Sequence, residues 1–222
     1  YNDYKSQISP RIAFKTKILE GVFFKSSIGK GFKAPDFRQL YFNFTNSTVG
    51  YSVIGFNVVE EVISELYRDN QIVNLVIPIN EFDDKLNPET SISLNLGLNY
   101  IQSDKFKLGI NLFRNDINNL IDYKVIANKT NGQNVFSYFN LNKVYTQGLE
   151  STINFKPTEK LNIIFGYQFL QAKDKDIVDL INNGQIFARE SLNTPSFEIK
   201  SSDYIGLYNR SRHTLNLKVF LK

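Results

Sequence analysis

The sequence predicts an all-β fold, in which an antiparallel up-and-down sheet crosses a membrane as one segment of a larger β-barrel. Apolar and polar residues alternate with period two in several stretches, including residues 92–100 and 161–169. This period places an apolar set on one face of a strand and a small or polar set on the other. No window approaches the run of about 20 apolar residues that a membrane-spanning helix needs. Strands, rather than helices, are therefore predicted to cross the membrane.

The composition excludes several classes of function. The 222 residues include no cysteine, so neither disulfides nor thiolate metal sites are expected. A single histidine leaves little for imidazole chemistry, and we predict no metal site, no cofactor and no enzyme. The net charge of +4 is small and interspersed, so no nucleic-acid partner is predicted. The chain starts at Tyr1 without a methionine and its last residues still alternate, so we expect it to be a fragment.

Seven strands are predicted in chain order from the alternation and from the turn signals between them. Their links are alternately tight, near residues 19–20, 102–104 and 157–159, and long, at residues 33–88, 123–135 and 174–209. Short periplasmic turns and long extracellular loops are typical of outer-membrane barrels. A soluble β-sandwich also alternates, and it remains an alternative. The predicted strands are residues 8–17, 21–32, 89–101, 105–122, 136–156, 160–173 and 210–222.

The strand predicted at residues 136–156 offers a geometric check of the membrane interpretation. Tyr145 and Phe155 share its outward face and lie ten residues apart, which is roughly 33 Å along a strand. At a tilt of about 40°, this distance projects to roughly 25 Å, the height of the apolar band between the aromatic girdles of a barrel. The spacing of this pair favours a strand that crosses the outer membrane.

The loop at residues 33–88 is predicted to carry structure of its own. A helical turn over residues 36–41 would begin with Asp36 as its N-cap. Valine, isoleucine and leucine recur at helical spacing over residues 57–68, which predicts an amphipathic helix. A long loop with its own structure is more often functional than accidental. Two further elements are predicted, an extra strand at residues 71–79 and a helix at residues 176–182 in the last long loop.

Four short motifs, in their order and spacing, give the chain a family resemblance. They are Phe32-Lys33-Ala34-Pro35 at the end of a strand, Asn87-Pro88-Glu89 before the next strand, Gln147-Gly148 in a later strand and Arg212-His213 near the start of the last strand. On these motifs the chain resembles the C-terminal part of the barrel of a TonB-dependent outer-membrane receptor. The resemblance implies a partial barrel domain over residues 1–222, about a third of a 22-stranded barrel, with residues 33–88 as a large extracellular loop.

The resemblance implies active uptake across the outer membrane of a Gram-negative bacterium. Such receptors bind a scarce ligand at the extracellular mouth, and the TonB complex acts on a plug domain that fills the lumen. The plug is expected to lie outside this chain. Strand parity places one set of residues on the inward face, and the resemblance implies that this set faces the plug: Arg11, Lys15, Lys25, Gly29, Gly31 and Glu150.

The predicted ligand is a ferric siderophore or a similar iron chelate. A basic and aromatic set of loop residues would suit an anionic, ring-containing chelate: Arg38, Tyr41, Phe42, Phe44, Tyr51 and Arg68. A sugar stacked on the rings would fit equally well, so a carbohydrate or cobalamin receptor and a passive channel remain alternatives. Haem receptors carry a similar first motif, but no histidine lies between Pro35 and Asn87, and His213 is interpreted as structural.

Overall fold

The computed structural model describes Tyr4 and residues 7–221, with Asn142 described through its backbone alone. Strands dominate this part of the chain, and seven of them are long. In chain order the strands are β1 (Arg11–Leu19), β2 (Val22–Lys33), β3 (Asn43–Asn46), β4 (Tyr51–Ile54), β5 (Ile72–Leu75), β6 (Glu89–Ser103), β7 (Phe106–Lys129), β8 (Asn134–Phe155), β9 (Leu161–Asp174), β10 (Phe187–Ala188), β11 (Phe197–Glu198) and β12 (His213–Leu221).

Three short α-helices lie between the strands: α1 (Phe37–Tyr41), α2 (Val59–Arg68) and α3 (Lys175–Asn182). The Asp36 carboxylate accepts a hydrogen bond from the Gln39 amide at 2.9 Å, and the Gln39 side chain accepts one from the Asp36 amide. This capping box confirms the predicted N-cap of α1. The Asp174 carboxylate caps α3 by accepting from the Asp176 and Ile177 backbone amides, and α3 confirms the helix predicted at residues 176–182. Among the described residues, no helix is both long and apolar enough to span a membrane.

The long strands follow one another through a single sheet in chain order. The order is β1-β2-β6-β7-β8, and β9 and then β12 continue from β8. The pairs β1–β2, β8–β9 and β9–β12 are antiparallel. Each long strand overlaps one of the seven predicted strands. The sheet therefore confirms the predicted up-and-down antiparallel arrangement.

One predicted loop, at residues 123–135, is wrong. The structure extends β7 to Lys129 and begins β8 at Asn134, so a tight hairpin turn replaces the loop. Gly132, at φ +81°, donates a hydrogen bond to the Lys129 carbonyl, and the Lys129 amide donates to the Gln133 carbonyl. The alternation ends before the strand does because Ile126 and its neighbour Ala127 are both buried.

The boundaries of other elements differ from the prediction. The extra strand predicted at residues 71–79 is only β5, because the chain bends at Val76 and Ile77 and a 3₁₀ turn, Ile79–Phe82, follows Pro78. The helix predicted at residues 57–68 begins as a 3₁₀ turn, Phe56–Val58, before α2. The last strand starts at His213 rather than at residue 210. Four short strands, β3, β4, β10 and β11, were not predicted.

The chain divides into two compact units. Unit 1 contains Phe32–Thr90 and Asn118–Asn142, together with Tyr4; unit 2 contains Ile8–Gly31, Ser91–Ile117 and the described residues from Lys143 onward. In unit 1, α2 packs its apolar stripe on strands β4, β5, β7 and β8. The buried residues of that core are Ile54, Val59, Ile63, Ile72, Ile126, Ala127 and Val135.

Unit 2 has one apolar sheet face that faces outward from the protein. On β6, Leu96 lies in the middle of an alternating series of large apolar residues that are 37–56% exposed. On β8, β9 and β12 the registers set apolar residues opposite one another, as for Leu217 and Phe165, and for Phe165 and Ile153. Three aromatic rings, Tyr100, Phe106 and Phe155, meet edge to face near the short turns.

Candidate functional site

A concave, polar wall lies on one face of unit 2. Four charged residues of the predicted inward set, Arg11, Lys15, Lys25 and Glu150, line a concavity of about 580 Å³. The β1–β2 register pairs Lys15 with Lys25, which brings two ammonium groups to the same strand pair. The structure therefore brings these four side chains together on one surface. That this surface faces a plug domain stays a prediction.

The two predicted glycines lie on β2 beside this wall. Gly29 pairs with Arg11 in the register, and a Cβ at Gly29 would stand 3.3 Å from the Arg11 Cγ. A Cβ at Gly31 would collide with the Ser91 hydroxyl. Both positions are therefore too crowded for a side chain without a shift of the neighbouring residue.

The wall has an unequal charge distribution. Glu150 accepts hydrogen bonds from the side-chain amide of Asn111 (Nδ2) at 3.3 Å and from that of Gln168 (Nε2) at 3.0 Å. Within the described residues, Arg11, Lys15 and Lys25 form no ion pair with a carboxylate. The wall thus offers three cations and one carboxylate whose oxygens already accept from amides.

A cluster of five aromatic rings lies on one sheet face of unit 1, and we call it the aromatic face: Phe42, Phe44, Tyr51, Tyr123 and Phe136. Successive ring centroids are 5.8–6.3 Å apart. On β4, Ser52 and Ile54 are buried while Tyr51 and Val53 are only partly covered. The aromatic face is therefore the side of the sheet that α2 leaves uncovered.

The aromatic face contains three of the predicted ligand residues, Phe42, Phe44 and Tyr51, and two rings that were not predicted. Tyr123 and Phe136 were missed because they lie far along the chain and because residues 123–135 were interpreted as a loop. Extending the predicted strand past residue 122 would have placed Tyr123 in the sheet. Phe136 contacts Tyr51 across the parallel β4–β8 pair. The sequence has no local pattern that joins these segments.

Three other predicted ligand residues lie outside the ring cluster. Tyr41 contacts Phe37 on α1, at a centroid distance of 5.5 Å. Arg38 lies 3.5 Å from the Asp36 carboxylate, in an exposed pair. Arg68 is an exposed residue in the last turn of α2. The structure thus does not gather the predicted set into a single site.

Arg38 nevertheless acts electrostatically on a tyrosine next to the aromatic face. Burial raises the pKa of the Tyr138 phenol, Asp36 raises it further, and Arg38 opposes them. The phenol of Tyr123 adds to the upward shift. Tyr138 itself packs against the buried cluster of Phe56, Leu86 and Ile121.

The first two family motifs are joined by an ion pair. The Lys33 ammonium lies 2.9 Å from the Glu89 carboxylate, which also accepts a hydrogen bond from the Ile121 amide at 3.1 Å. The Asn140 side chain accepts from the Asn87 amide and donates to the Asn87 carbonyl. These contacts fix the start of β6 against β7 and β8. Pro88 lies between the two anchored residues, while Phe32 and Ala34 are partly covered and Pro35 is buried.

The later motifs hold the strands of unit 2 together. Gln147 accepts a hydrogen bond from Arg114 and donates one to Gln171. A Cβ at Gly148 would collide with the Phe169 carbonyl, so only glycine fits there. The Arg212 carbonyl accepts a hydrogen bond from the Leu170 amide.

His213 lies on the apolar side of β12. Its Nδ1 is 2.9 Å from the Tyr167 hydroxyl, and its ring packs against Phe169 at 5.3 Å. This placement agrees with a structural role. In the part of the chain that the structure describes, no group of three or more histidine, cysteine or acidic side chains could hold a metal ion.

A buried lysine lies at the β7–β8 hairpin in unit 1 and was not singled out in the sequence. The Lys129 ammonium donates to the Ser52 hydroxyl at 2.8 Å, and that hydroxyl lies 2.9 Å from the Thr45 hydroxyl. Lys129 is 8% exposed, and its burial lowers the pKa of the ammonium from the ordinary lysine value. Because the folded chain holds this proton less tightly than the unfolded chain does, the stability of the hairpin should depend on pH.

A sheet of long consecutive strands, with one apolar outer face and one polar concave face, defines a section of a β-barrel. The chain belongs to the TonB-dependent receptor-like β-barrel family, whose model matches residues 1–221. Proteins of this family are receptors and transporters, which confirms the prediction that the chain is not an enzyme. Membership also shows that the soluble β-sandwich alternative is wrong.

Individual relatives match most of this chain. The heme/hemopexin utilization protein C of Haemophilus influenzae (strain 86-028NP) is 24% identical over 188 residues, covering 80% of this chain and 24% of that protein. The siderophore receptor PirA of Pseudomonas aeruginosa has a TM-score of 0.51 at 21% identity, covering 75% of this chain and 28% of that chain. The Serratia marcescens hemophore receptor HasR, as a double mutant with its hemophore HasA and heme, has a TM-score of 0.50 at 17% identity, covering 74% of this chain and 22% of that chain.

The structural likenesses show the shared fold and not a shared ligand. The chain spans about a quarter of the length of the relatives that it matches.

Proposed function

We propose that this chain is part of a receptor in the outer membrane of a Gram-negative bacterium. The receptor binds a scarce ligand, a ferric siderophore or a similar iron chelate, and imports it with energy from the TonB complex. The match of the family model to residues 1–221 is the observation that carries this proposal. The proposed domain is a partial barrel over residues 1–222, with residues 33–88 as its large extracellular loop.

The apolar face of unit 2 supports contact with outer-membrane lipid. Leu96 on β6 and Leu217 on β12 are 41% and 62% exposed, and both lie in series of large apolar side chains. Such a continuous face is unfavourable in water and favourable in lipid. The aromatic cluster of Tyr100, Phe106 and Phe155 has the composition of an interfacial girdle.

The concave wall of unit 2 supports a plug domain as the partner of the barrel interior. Its cations, Arg11, Lys15 and Lys25, form no ion pair within the described residues. Charged side chains of this kind require water or an oppositely charged partner. A plug domain connected to the TonB complex would supply that partner in the complete receptor.

The aromatic face supports an anionic chelate with ring groups as the ligand. Rings of Phe44 and Tyr123 are 40% and 49% exposed, and Arg38 is an exposed cation on α1, outside the ring cluster. Rings stack on aromatic ligand groups and Arg pairs with anionic oxygens. Tyr41 and Arg68 remain proposed contacts for parts of the ligand beyond this cluster.

Haem is a second candidate ligand, favoured by the similarity to the heme/hemopexin utilization protein C of Haemophilus influenzae. A histidine axial ligand from this chain would have to be His213, whose Nδ1 lies 2.9 Å from the Tyr167 hydroxyl on the apolar side of β12. The residue is thus poorly placed to bind iron. We therefore favour a siderophore over haem.

Ligand binding by the full-length receptor tests the proposed ligand. Calorimetry should show saturable binding of a ferric catecholate, and a Phe44→Ala/Tyr51→Ala double variant should bind it roughly tenfold more weakly, since each lost stacking contact is worth about 0.5–1.5 kcal/mol. A Phe187→Ala variant, which removes an exposed ring in unit 2, is the matched control. Binding of haem with a His213-dependent Soret band, and no binding of the chelate, would contradict the assignment.

A further inference from the structure

The strand β3 is an open edge of the sheet in unit 1. In the sheet order β3 is terminal and pairs only with β4, among the strands that the structure describes. Asn43, Phe44 and Thr45 are all exposed. An edge strand presents unpaired backbone N–H and C=O groups, which can pair with another extended chain.

The backbone direction of β3 identifies which groups are free. The Phe42 carbonyl accepts from the Gly55 amide at 2.6 Å, and the Asn46 carbonyl accepts from the Gly50 amide at 2.8 Å. Because backbone groups alternate along a strand, the groups of Phe44 also point toward β4. The amides and carbonyls of Asn43 and Thr45 therefore point away from β4, toward the open edge.

This edge lacks the features that normally prevent strand pairing. Edge strands are commonly protected by charges, prolines or bulges. Residues 42–54 contain no charged residue and no proline. The β3–β4 register, from Asn43 with Ile54 to Asn46 with Tyr51, is regular. By contrast, β5 has a register shift after Ile72.

The exposed rings next to this edge indicate what kind of segment it would accept. Phe42 and Phe44 are each 40% exposed and stack with centroids 5.9 Å apart. In a paired strand, side chains on the same face as Phe44 would lie against these rings. A charged side chain there would be desolvated without a partner, since this hairpin carries no charge. Apolar or aromatic side chains are therefore favoured at every second position.

We propose that β3 binds an extended, uncharged peptide segment of a protein partner by strand addition. The segment pairs with the backbone groups of Asn43 and Thr45, and its alternate apolar side chains pack on Phe42 and Phe44. Strand addition of this kind takes affinity from main-chain hydrogen bonds and specificity from alternate side chains. The segment would contact Phe42 and Phe44, two rings of the aromatic face, so it would compete with the proposed chelate for these rings.

The test uses the full-length receptor in detergent and a synthetic probe peptide, Gly-Tyr-Ser-Val-Ile-Gly, which copies residues 50–55. This probe is uncharged and is already complementary to β3, since the same segment pairs with its other edge. A second peptide with lysine in place of tyrosine and valine is the charged control. The readouts are affinity by calorimetry and hydrogen exchange at single amides.

Two receptor variants test whether binding depends on the outward N–H of Asn43 while the β3–β4 hairpin stays folded. Asn43→Pro removes an outward N–H, and Phe42 already has the extended backbone, φ −74° and ψ 132°, that proline requires of the preceding residue. Asn43→Ala keeps that N–H and is the matched control. Slow exchange of the Phe44 amide in both variants would show that the β3–β4 hairpin is intact.

We expect the probe to bind and to slow exchange at Asn43 and Thr45, and the charged peptide to bind far more weakly. Asn43→Pro should reduce affinity roughly tenfold, while Asn43→Ala retains it. Equal binding by the two variants, or no binding by the unmodified receptor, would overturn the proposal. Receptor dimerisation without peptide that Asn43→Pro abolishes would assign the edge to a second copy instead, and would also overturn it.

Discussion

Glu89 shows how one residue of a family motif can organise a local structure. Its carboxylate accepts from the Lys33 ammonium, 56 residues earlier in the chain, and from the Ile121 amide on β7. The side chain is only 14% exposed. One carboxylate therefore joins the end of β2, the start of β6 and the middle of β7. The motif residues Lys33 and Glu89 act as structural anchors in this site.

Removal of the Glu89 carboxylate should loosen this junction. Glu89→Ala leaves the Ile121 amide without its acceptor, and an unsatisfied buried amide costs about 1–3 kcal/mol. Glu89→Gln keeps an acceptor oxygen and loses only the charge, and a partly exposed ion pair is worth about 0–1 kcal/mol. Thermal unfolding of the full-length protein in detergent should therefore rank alanine well below glutamine. Equal unfolding temperatures for the two variants would show that the amide contact does not matter.

Lys129 should make the stability of unit 1 depend on pH. Its pKa is lowered by burial, so between the lowered value and the ordinary value near 10.4 the unfolded chain binds a proton that the folded chain does not. Stability from this group therefore rises as pH increases through that window. Lys129→Met should lack this rise. The unfolding temperature of the unmodified protein should therefore increase relative to that of Lys129→Met as pH increases.

Lys129→Arg is the control for that measurement. Arginine keeps its charge throughout the range and carries it into the same buried position. The deficit of this variant relative to the unmodified protein should therefore grow as pH rises, because lysine can lose its charge there and arginine cannot. A difference between the unmodified protein and Lys129→Met that does not change with pH would contradict the predicted role of the buried ammonium.

At the scale of elements, the long strands could be predicted because period-two alternation is a local signal. On β6 and β9, one face carries mostly small or polar side chains and the other carries large apolar ones, so the pattern is clear in the sequence. The pattern fails at the outer part of β7, where α2 covers one face and the neighbours Ile126 and Ala127 are both buried. The strands β3 and β4 have four residues each, too few for a period to be recognised.

The two faces of β6 should respond differently to charge. Leu96 lies in the middle of the apolar series, and an arginine at the bilayer midplane of a barrel costs about 2–4 kcal/mol. Asn95 lines the concave wall on the opposite face, where a charge stays solvated. Leu96→Arg should therefore lower the folded fraction of the full-length protein in lipid vesicles, and Asn95→Arg should leave it nearly unchanged. A similar loss in both variants would contradict the lipid-facing assignment of this face.

At the scale of the whole molecule, the parts of the candidate site differ in how well the sequence predicts them. The inward positions of Arg11, Lys15 and Lys25 follow from strand parity, which needs only neighbouring residues. The aromatic face required three distant segments to meet, since Phe44, Tyr123 and Phe136 lie on different strands of unit 1. Contacts of that kind depend on strand order, which a single sequence does not encode in a local pattern.

Energy-coupled import is the central claim for the complete receptor, and a passive channel is the alternative. The direct measurement is accumulation of a radiolabelled ferric siderophore by cells that contain the full-length receptor, with and without TonB. We predict that label binds to both kinds of cell but accumulates only in those with TonB. Equal accumulation without TonB would show passive passage and would contradict the proposed function.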